Sequence, residues 1–270
     1  VPSEASGSGT ARYTHGHHES VLRSHRQRTA ETSAAYLLAH LGPGLRLLDV
    51  GCGPGTVTEG LARRVAPGPV VGIDTDLGVL RSAASAAPEA QFAAADLFAL
   101  PHPDDAFDVV HAHQVLQHVA DPVAALRELS RVCRPEGLLA VRDADYGAMT
   151  WFPARPELER WRALYRAVAR RNGGEPDAGR RLGAWARAAG CQEVSLSASA
   201  WCFATSQDRR WWAETWAERT TSSALATRAL ELGLASQREL AELAAGWLDW
   251  AEDPDAWFAV LHGELLCRPC

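Results

Sequence analysis

The stretch Leu47-Leu48-Asp49-Val50-Gly51-Cys52-Gly53-Pro54-Gly55 decides the fold of this chain. An apolar strand ends in an acid, turns through glycines at alternate positions and runs into a helix beginning at Thr56. Glycines so spaced let the backbone turn tightly and approach a ligand closely. Asp49 adds a carboxylate suited to a cationic or hydroxylated group. The stretch therefore reads as the binding turn of a nucleotide-like cofactor. A dinucleotide turn needs its third glycine three residues after the second, and a P-loop ends in Gly-Lys-Ser/Thr. Here the spacing is Gly51-x-Gly53-x-Gly55, and the chain has no lysine, which removes the P-loop.

Outward from this turn the sequence alternates strand and helix. Strands are predicted at Arg46–Val50, Val70–Asp74, Gln91–Ala95, Phe107–Ala112 and Leu138–Arg142, with helices at Thr56–Val65, Leu77–Ala87 and Pro122–Cys133. Asp121 caps the last of these and Pro122 suits its first turn. Such alternation implies a mostly parallel, doubly wound α/β sheet. Upstream, residues 13–41 read as one helix, with an apolar stripe through Val21, Leu22, Ala30, Ala34, Leu37, Leu38 and Leu41, stopped by Gly42-Pro43-Gly44. After Gly147 the texture changes. All ten tryptophans lie from Trp151 to Trp257, and nine of the ten histidines lie before Val119. Helices are expected at Pro156–Arg171, Gly179–Ala189, Asp208–Leu232 and Gln237–Ala251, and strands at Glu193–Phe203 and Trp257–Cys267. The chain thus divides into a tail and helical lid (1–44), a cofactor core (45–147), a helical insertion with its return helix (148–190), and the last two strands around a tryptophan-rich insertion (191–270, insertion 206–252).

Composition bounds the rest. At 270 residues, with 47% hydrophobic and 22% charged residues, the chain reads as an ordinary soluble protein. Its net charge of −6 argues against nucleic acid as a partner. No apolar run approaches the roughly 18 residues of a membrane span, and no signal peptide is evident. Six dispersed cysteines suit a reducing cytoplasm better than a disulfide scaffold. Cys267-Arg268-Pro269-Cys270 has the spacing of a redox pair, but such pairs open a helix after a strand, and this one is a tail with a proline inside. The lack of lysine excludes Schiff-base chemistry, and is also what a GC-rich coding sequence produces.

The pattern Asp49-x-Gly51-x-Gly53-x-Gly55 resembles motif I of class I S-adenosylmethionine-dependent methyltransferases. Val71-Gly72-Ile73-Asp74 is a second strand ending in an acid, Ala95-Asp96-Leu97 a third, Phe107–His113 resembles motif IV, and Leu129–Leu139 the helix–turn–strand of motif V. The run from Leu47 to His118 is most similar to the ubiquinone/menaquinone-biosynthesis group, which holds many small-molecule methyltransferases. The resemblance implies a seven-stranded Rossmann-like sheet whose last strand runs antiparallel between the fifth and sixth. It also implies an N-terminal helical lid and helical insertions after strands 5 and 6. It implies S-adenosyl-L-methionine as cofactor and S-adenosyl-L-homocysteine as product. Asp49 would organise the turn near the cofactor's amino group, with Gly51, Cys52 and Gly53 around the amino acid portion. Asp74 would take the ribose, Thr75 would lie beside it in the cofactor site, and Asp96 would take the adenine with Leu97 packed beside it. Caps of helices or turns are the alternative for the three acids.

The histidines are less determined. Tyr13-Thr14-His15-Gly16-His17-His18-Glu19 could be a metal site, a lid bringing Tyr13 to the cofactor and His17 or His18 to the acceptor, or a solvated segment. A lid without metal is preferred. His113, at the carboxyl edge of the fourth strand, is the first candidate for a general base and also reads as a packing residue against the cofactor. His118 reads as a cofactor neighbour or a helix cap. Asp143 and Asp145 follow the fifth strand and are candidate bases or cation ligands; pairing with Arg142 or other arginines is an equal alternative. His18 and Asp143 are the weaker base candidates. The tryptophans suit a packed core and a flat or apolar acceptor. The expectation is methyl transfer to the oxygen, nitrogen or carbon of a small organic acceptor, by a monomer or homodimer. Alternatives are a cofactor-binding protein of the same fold with non-methylating chemistry, or a partner-binding module.

Overall fold

A computed structural model describes residues 14 and 19–270. Its elements run in chain order α1 (Glu19–Arg26), α2 (Ala30–Ser33), α3 (Ala35–Leu38), β1 (Leu47–Val50), α4 (Thr56–Val65), β2 (Val70–Asp74), α5 (Leu77–Ala86), β3 (Gln91–Ala94), β4 (Phe107–His113), α6 (Pro122–Val132) and β5 (Cys133–Ala144). They continue with β6 (Thr150–Phe152), α7 (Pro156–Arg171), α8 (Leu182–Ala189), β7 (Gln192–Phe203), α9 (Ser206–Ser222), α10 (Ala224–Glu231), α11 (Gln237–Glu252) and β8 (Trp257–Arg268). Among the described residues no helix is long and apolar enough to cross a membrane.

β3, β2, β1, β4 and β5 pair in that order and in parallel. β8 then runs antiparallel to β5, and β7 pairs antiparallel with β8's other edge. The last strand therefore lies between the fifth and the penultimate one, as the resemblance implied. The short β6 is an addition; it continues beyond β5 along the same edge of β8, pairing Trp151 with Phe258. Helical insertions follow β5 (α7) and β7 (α9–α11).

Two expected helices are broken, each by a side chain that competes for backbone hydrogen bonds. The segment predicted as one helix over residues 13–41 divides at Arg28 and at Ala34. Thr29 is extended, and it and Thr32 exchange side-chain-to-backbone bonds in a reciprocal cap that starts α2 afresh. Ala30, Ala34 and Leu37 of the apolar stripe are fully buried against β1 and α4. The helix predicted at Asp208–Leu232 breaks at Ser223, which ends α9 and caps α10 through its hydroxyl on the Leu225 N–H. β7 is a strand as expected, but it is the sheet's edge. Its apolar set, including Leu196 and Cys202, is largely exposed, and Ser199, Trp201 and Phe203 turn inward instead.

The tryptophans form their own core. Trp161, Trp216, Trp247 and Trp250 are fully buried together with Tyr165 and Phe258, where α7, α9 and α11 meet on β8. Trp161 meets Trp216 and Trp247 edge-on, with centroids 4.4 and 4.7 Å apart. This quadrupole-matched packing binds the insertions into one cap. Behind it, the turn at Ala178–Arg181 crosses β8 backbone against backbone. A Cβ on Gly263 would sit 2.0 Å from the Gly179 carbonyl oxygen. Gly263→Ala is therefore expected to cost about 3 kcal/mol in urea unfolding, since neither backbone can yield. Gly42→Ala, with nothing within 4 Å, is expected to be neutral.

Candidate functional site

Two cavities lie at the carboxyl edge of the parallel strands, the ligand edge of open α/β sheets. The larger, about 1000 Å³, is lined by Asp49, Gly51, Cys52, Gly53, Asp74, Thr75, Asp96, Leu97, His113 and His118, among others. The sheet thus brings together every described residue proposed from sequence for the cofactor. Tyr13, His15, His17 and His18 lie outside the described residues. Asp143 lines neither cavity.

The turn is built by its glycines. Gly51, Gly53 and Gly55 all have left-handed backbones, with φ of 66°, 54° and 81°, a region that costs other residues a strained Cβ. A Cβ on Gly51 would lie 2.5 Å from Val115, just past β4. Asp74, ending β2, fastens the turn. Its Oδ2 accepts the Gly53 N–H at 3.1 Å and its Oδ1 the Asp76 N–H at 3.1 Å. Each oxygen keeps a lone pair on the cavity side for a hydroxyl donor. Asp96 accepts the Phe98 N–H at 2.9 Å and is otherwise exposed to the cavity. Burial pushes the Cys52 thiol up, so its sulfur is a wall and not a nucleophile.

Asp49 is buried and its carboxylate is engaged within the protein. The Thr58 hydroxyl of α4 donates to Oδ2 at 2.6 Å, and His111 of β4 meets Oδ1 through Nδ1 at 2.7 Å. The other ring nitrogen of His111 has no partner among the described residues.

His113 ends β4 with both ring nitrogens unbonded among the described residues. Burial, with the charges of Arg142 and Arg28, holds it well below the ordinary imidazole value, so it is neutral near pH 7. His118 is bonded instead: Gln117 meets its Nε2 at 2.9 Å, and burial brings it down to about 3. Gln117 gives its Oε1 to the Ala144 N–H, which leaves its amide nitrogen to donate to His118. Asp143 is buried, with Oδ1 accepting the Gln117 N–H at 3.2 Å and Oδ2 unpartnered among the described residues. Burial pushes it up to about 8. It is then largely protonated at neutral pH and poorly suited to accept a proton. Asp145, its companion in sequence, is paired with Arg180 at 2.5 Å.

The smaller cavity, about 450 Å³, lies between α1–α3, the edge strand β7 and the cap. Trp201, Trp211, Trp212, Trp216 and Tyr146 line it, with Arg142 and Glu264. Arg142 is 1% exposed. It lies 3.4 Å from Glu264 and donates to the Ser199 hydroxyl at 3.2 and 3.1 Å. Trp201 carries Arg142 on its ring at 5.0 Å and Arg28 at 5.2 Å, and its indole N–H donates to the Thr32 carbonyl at 2.8 Å.

Arg28 and Gln114 line both cavities. Arg28 reaches this place because the N-terminal helix breaks there. Gln114 is held with φ of 55°, a strained backbone of the kind that gathers at functional sites. Its N–H donates to the Arg142 carbonyl at 2.7 Å. Its Nε2 lies 2.9 Å from His262 Nε2, while His262 Nδ1 lies 3.1 Å from the Val260 carbonyl. That carbonyl can only accept, so His262 carries its proton on Nδ1 and Gln114 donates to Nε2. Arg28, His111, Gln114, Trp201 and His262 were not singled out from sequence. No local motif joins residues so far apart in the chain; only the positions of Gln114 and His111 beside motif IV offered a signal.

The methyltransferase-domain family model matches residues 48–141. An uncharacterized methyltransferase of Schizosaccharomyces pombe is 34% identical over 272 residues, covering 95% of this chain and 96% of that relative. The probable methyltransferase ltbC of Aspergillus luteorubrus is 31% identical over 97% of this chain and 99% of its own length. Among solved structures, the [4+2]-cyclase SpnF is similar with a TM-score of 0.50 and 25% identity, covering 92% of this chain and 80% of that one.

Buried titratable groups at this edge limit stability on both sides of neutrality. His113, His118 and His262 all sit below the ordinary value of 6.5, chiefly through burial. Unfolding lets them take up protons, so their contribution is intact above about pH 6.5 and lost as pH falls below it. Asp143 is shifted the other way, from 3.8 to about 8. The folded state keeps its proton where the unfolded chain releases it, so stability declines as pH rises from about 4 towards 8. Thermal melts are expected to fall below about pH 6.5. Above it the Cys191 thiol, brought down from 9 to about 6, adds stability where Asp143 removes it. Asp143→Asn is therefore expected to gain steadily in melting temperature on the wild type between about pH 6.5 and 8, with the acid limb unchanged.

Proposed function

The chain belongs to the class I S-adenosylmethionine-dependent methyltransferase superfamily, and from that premise we propose that its larger cavity takes S-adenosyl-L-methionine and its smaller one a small organic acceptor, with methyl transfer where the two meet. The single observation that carries this reading is the shared wall of Arg28 and Gln114 between a cavity of cofactor-motif residues and a tryptophan-lined one.

The residues present fit the cofactor. Asp74 and Thr75 hold the ribose through the lone pairs that the turn leaves unused. Asp96 takes the adenine amino group, with Leu97 against the ring. The Gly51–Gly53 backbone cradles the methionine portion, which a side chain on Gly51 would crowd. Asp49 serves indirectly: its oxygens hold α4 and β4, and so fix the turn. Tyr13 belongs to the proposed lid at the methionine end. The bound cofactor supplies a methyl group already activated on a sulfonium, so the protein's work is alignment and exclusion of water.

Gln114 is placed to orient the acceptor, since its amide nitrogen is anchored on His262 while its Oε1 makes no hydrogen bond among the described residues. His113, neutral near pH 7, is the first candidate to take a proton from a hydroxyl or amine. His18 is a second candidate, and the burial of Asp143 outside both cavities makes it the weakest. The tryptophan wall suits a flat, largely apolar acceptor. The resemblance to the ubiquinone/menaquinone-biosynthesis group lies within Leu47–His118, on the cofactor side, and does not choose the acceptor.

A second reading has one observation in its favour, the similarity to the [4+2]-cyclase SpnF. In it the cofactor is bound but the occupant of the smaller cavity is turned over without methylation. Calorimetry with S-adenosyl-L-homocysteine is expected to show one site per chain, weakened at least about tenfold in Asp74→Ala. Incubation with methyl-labelled cofactor and a panel of phenols, quinols and amines should transfer label. Gln114→Ala is expected to lower that transfer about 100-fold with homocysteine-product affinity unchanged. Binding without transfer across the panel would favour the second reading, and absence of binding would sink both.

A further inference from the structure

The edge of the sheet opposite the cavities holds three cysteines that the methyl-transfer reading does not use. Cys191 stands between α8 and β7, Cys267 lies in β8 and Cys270 just beyond it. In sequence Cys267 and Cys270 look like the pair. In space Cys270 turns to Cys191 instead, with the sulfurs 3.3 Å apart across 79 residues of chain. The Ser130 hydroxyl of α6 lies 3.0 Å from the Cys270 sulfur and 3.9 Å from that of Cys191. Cys267 is 1% exposed and Cys191 8%, whereas Cys270 is exposed. Among the described residues no three His, Cys, Asp or Glu side chains converge to hold a metal ion, so the cluster is a thiol site.

Its chemistry is asymmetric. Hydrogen bonds from Cys267, Cys270 and Ser130 converge on the Cys191 sulfur and bring it down to about 6, while burial pushes Cys270 up to about 11. The thiolate, which is the nucleophile, therefore forms first at Cys191. Cys270 is the neighbouring thiol that can resolve an oxidised sulfur.

We propose that Cys191 and Cys270 are a peroxide-reactive pair that closes into a disulfide. The Cys191 thiolate attacks one oxygen of hydrogen peroxide, the O–O bond breaks, and hydroxide leaves, taking up a proton to become water. The oxygen left on Cys191 keeps the hydrogen it carried in the peroxide, so the product is a sulfenic acid. The Cys270 sulfur then attacks the Cys191 sulfur as it gives up its proton. The S–O bond breaks, and the hydroxyl leaves with that proton as a second water. One peroxide and two thiols become one disulfide and two waters; the two sulfurs lose the two electrons that the peroxide gains. The product joins the start of β7 to the segment after β8, enclosing the tryptophan-rich insertion in a covalent loop.

The test uses the whole chain and hydrogen peroxide. One equivalent is expected to lower the intact mass by two hydrogens, about 2 Da, reversibly with a phosphine reductant. Tandem mass spectrometry of unreduced peptides should place the bond at Cys191–Cys270. Cys270→Ser, a change at an exposed site, should abolish the loss and leave a sulfenic acid at Cys191 that dimedone traps. Cys267→Ser should keep the bond. A Cys267–Cys270 bond, a bond only between chains, or unchanged mass in the wild type would each overturn the proposal.

Discussion

The carboxylate of Asp49 is the constraint on which the ligand edge depends. It lies one residue before the end of β1, the strand at the centre of the parallel order, and it is buried. A charge in that position is tolerable only if fully bonded. Thr58 and His111 bond it, and each belongs to a different element, α4 and β4. The same bonds therefore satisfy the charge and fix the helix and strand that flank the glycine turn. Taking one partner from a buried pair of this kind costs about 3–5 kcal/mol. Here the cost would fall on the geometry of the turn, because the turn is the only covalent link between β1 and α4.

The polarity of Asp49 continues across the sheet. Asp49 is in register with His111, His113 with Arg142, Arg142 with Glu264, and Ala144 with His262. Residues in register share a face, as do residues two apart along a strand. One face of the sheet is thus apolar at its amino end, where Leu47, Val109 and Ala140 pack under α2 and α4. Towards its carboxyl edge it becomes a line of ionisable groups. Both cavities open over that line, Asp49 and His113 towards the larger and Arg142 and Glu264 towards the smaller. In the smaller the Arg142–Glu264 pair gives polar footing with its charges matched, which suits the aromatic lining above.

The cofactor half was legible because its signals are local. Glycine spacing, a strand ending in an acid, and an aspartate cap followed by proline are each written within a few residues, and β2, α4 and α7 fall where periodicity put them. The tryptophan-rich half was legible only as texture. Its tryptophans announced a packed cap, but which ones face the cavity depends on β7 being an edge strand, which periodicity alone cannot distinguish. The junction was not legible at all. Arg28, Gln114, Trp201 and His262 meet only once the N-terminal helix has broken at Thr29 and β8 has been laid beside β7. The break carries little local signal, since the apolar stripe runs unbroken through it and only two threonines three apart mark it.

The position of β8 has a consequence for how the chain is assembled. It is the last strand in sequence, yet it lies inside the sheet, with β5 and β6 on one edge and β7 on the other. Until Trp257–Arg268 is placed, both β5 and β7 present unpaired backbone edges, and the tryptophan cap has no floor, since Phe258 and Val260 supply it. On a ribosome the emerging chain would hold this open slot through the synthesis of more than fifty residues between β7 and β8. Such edges template pairing with other chains. Ser195, Ser197 and Ser199, with Glu193 before them on the same face of β7, then serve the unfinished molecule as much as the finished one: they make a poor template for any strand but its own.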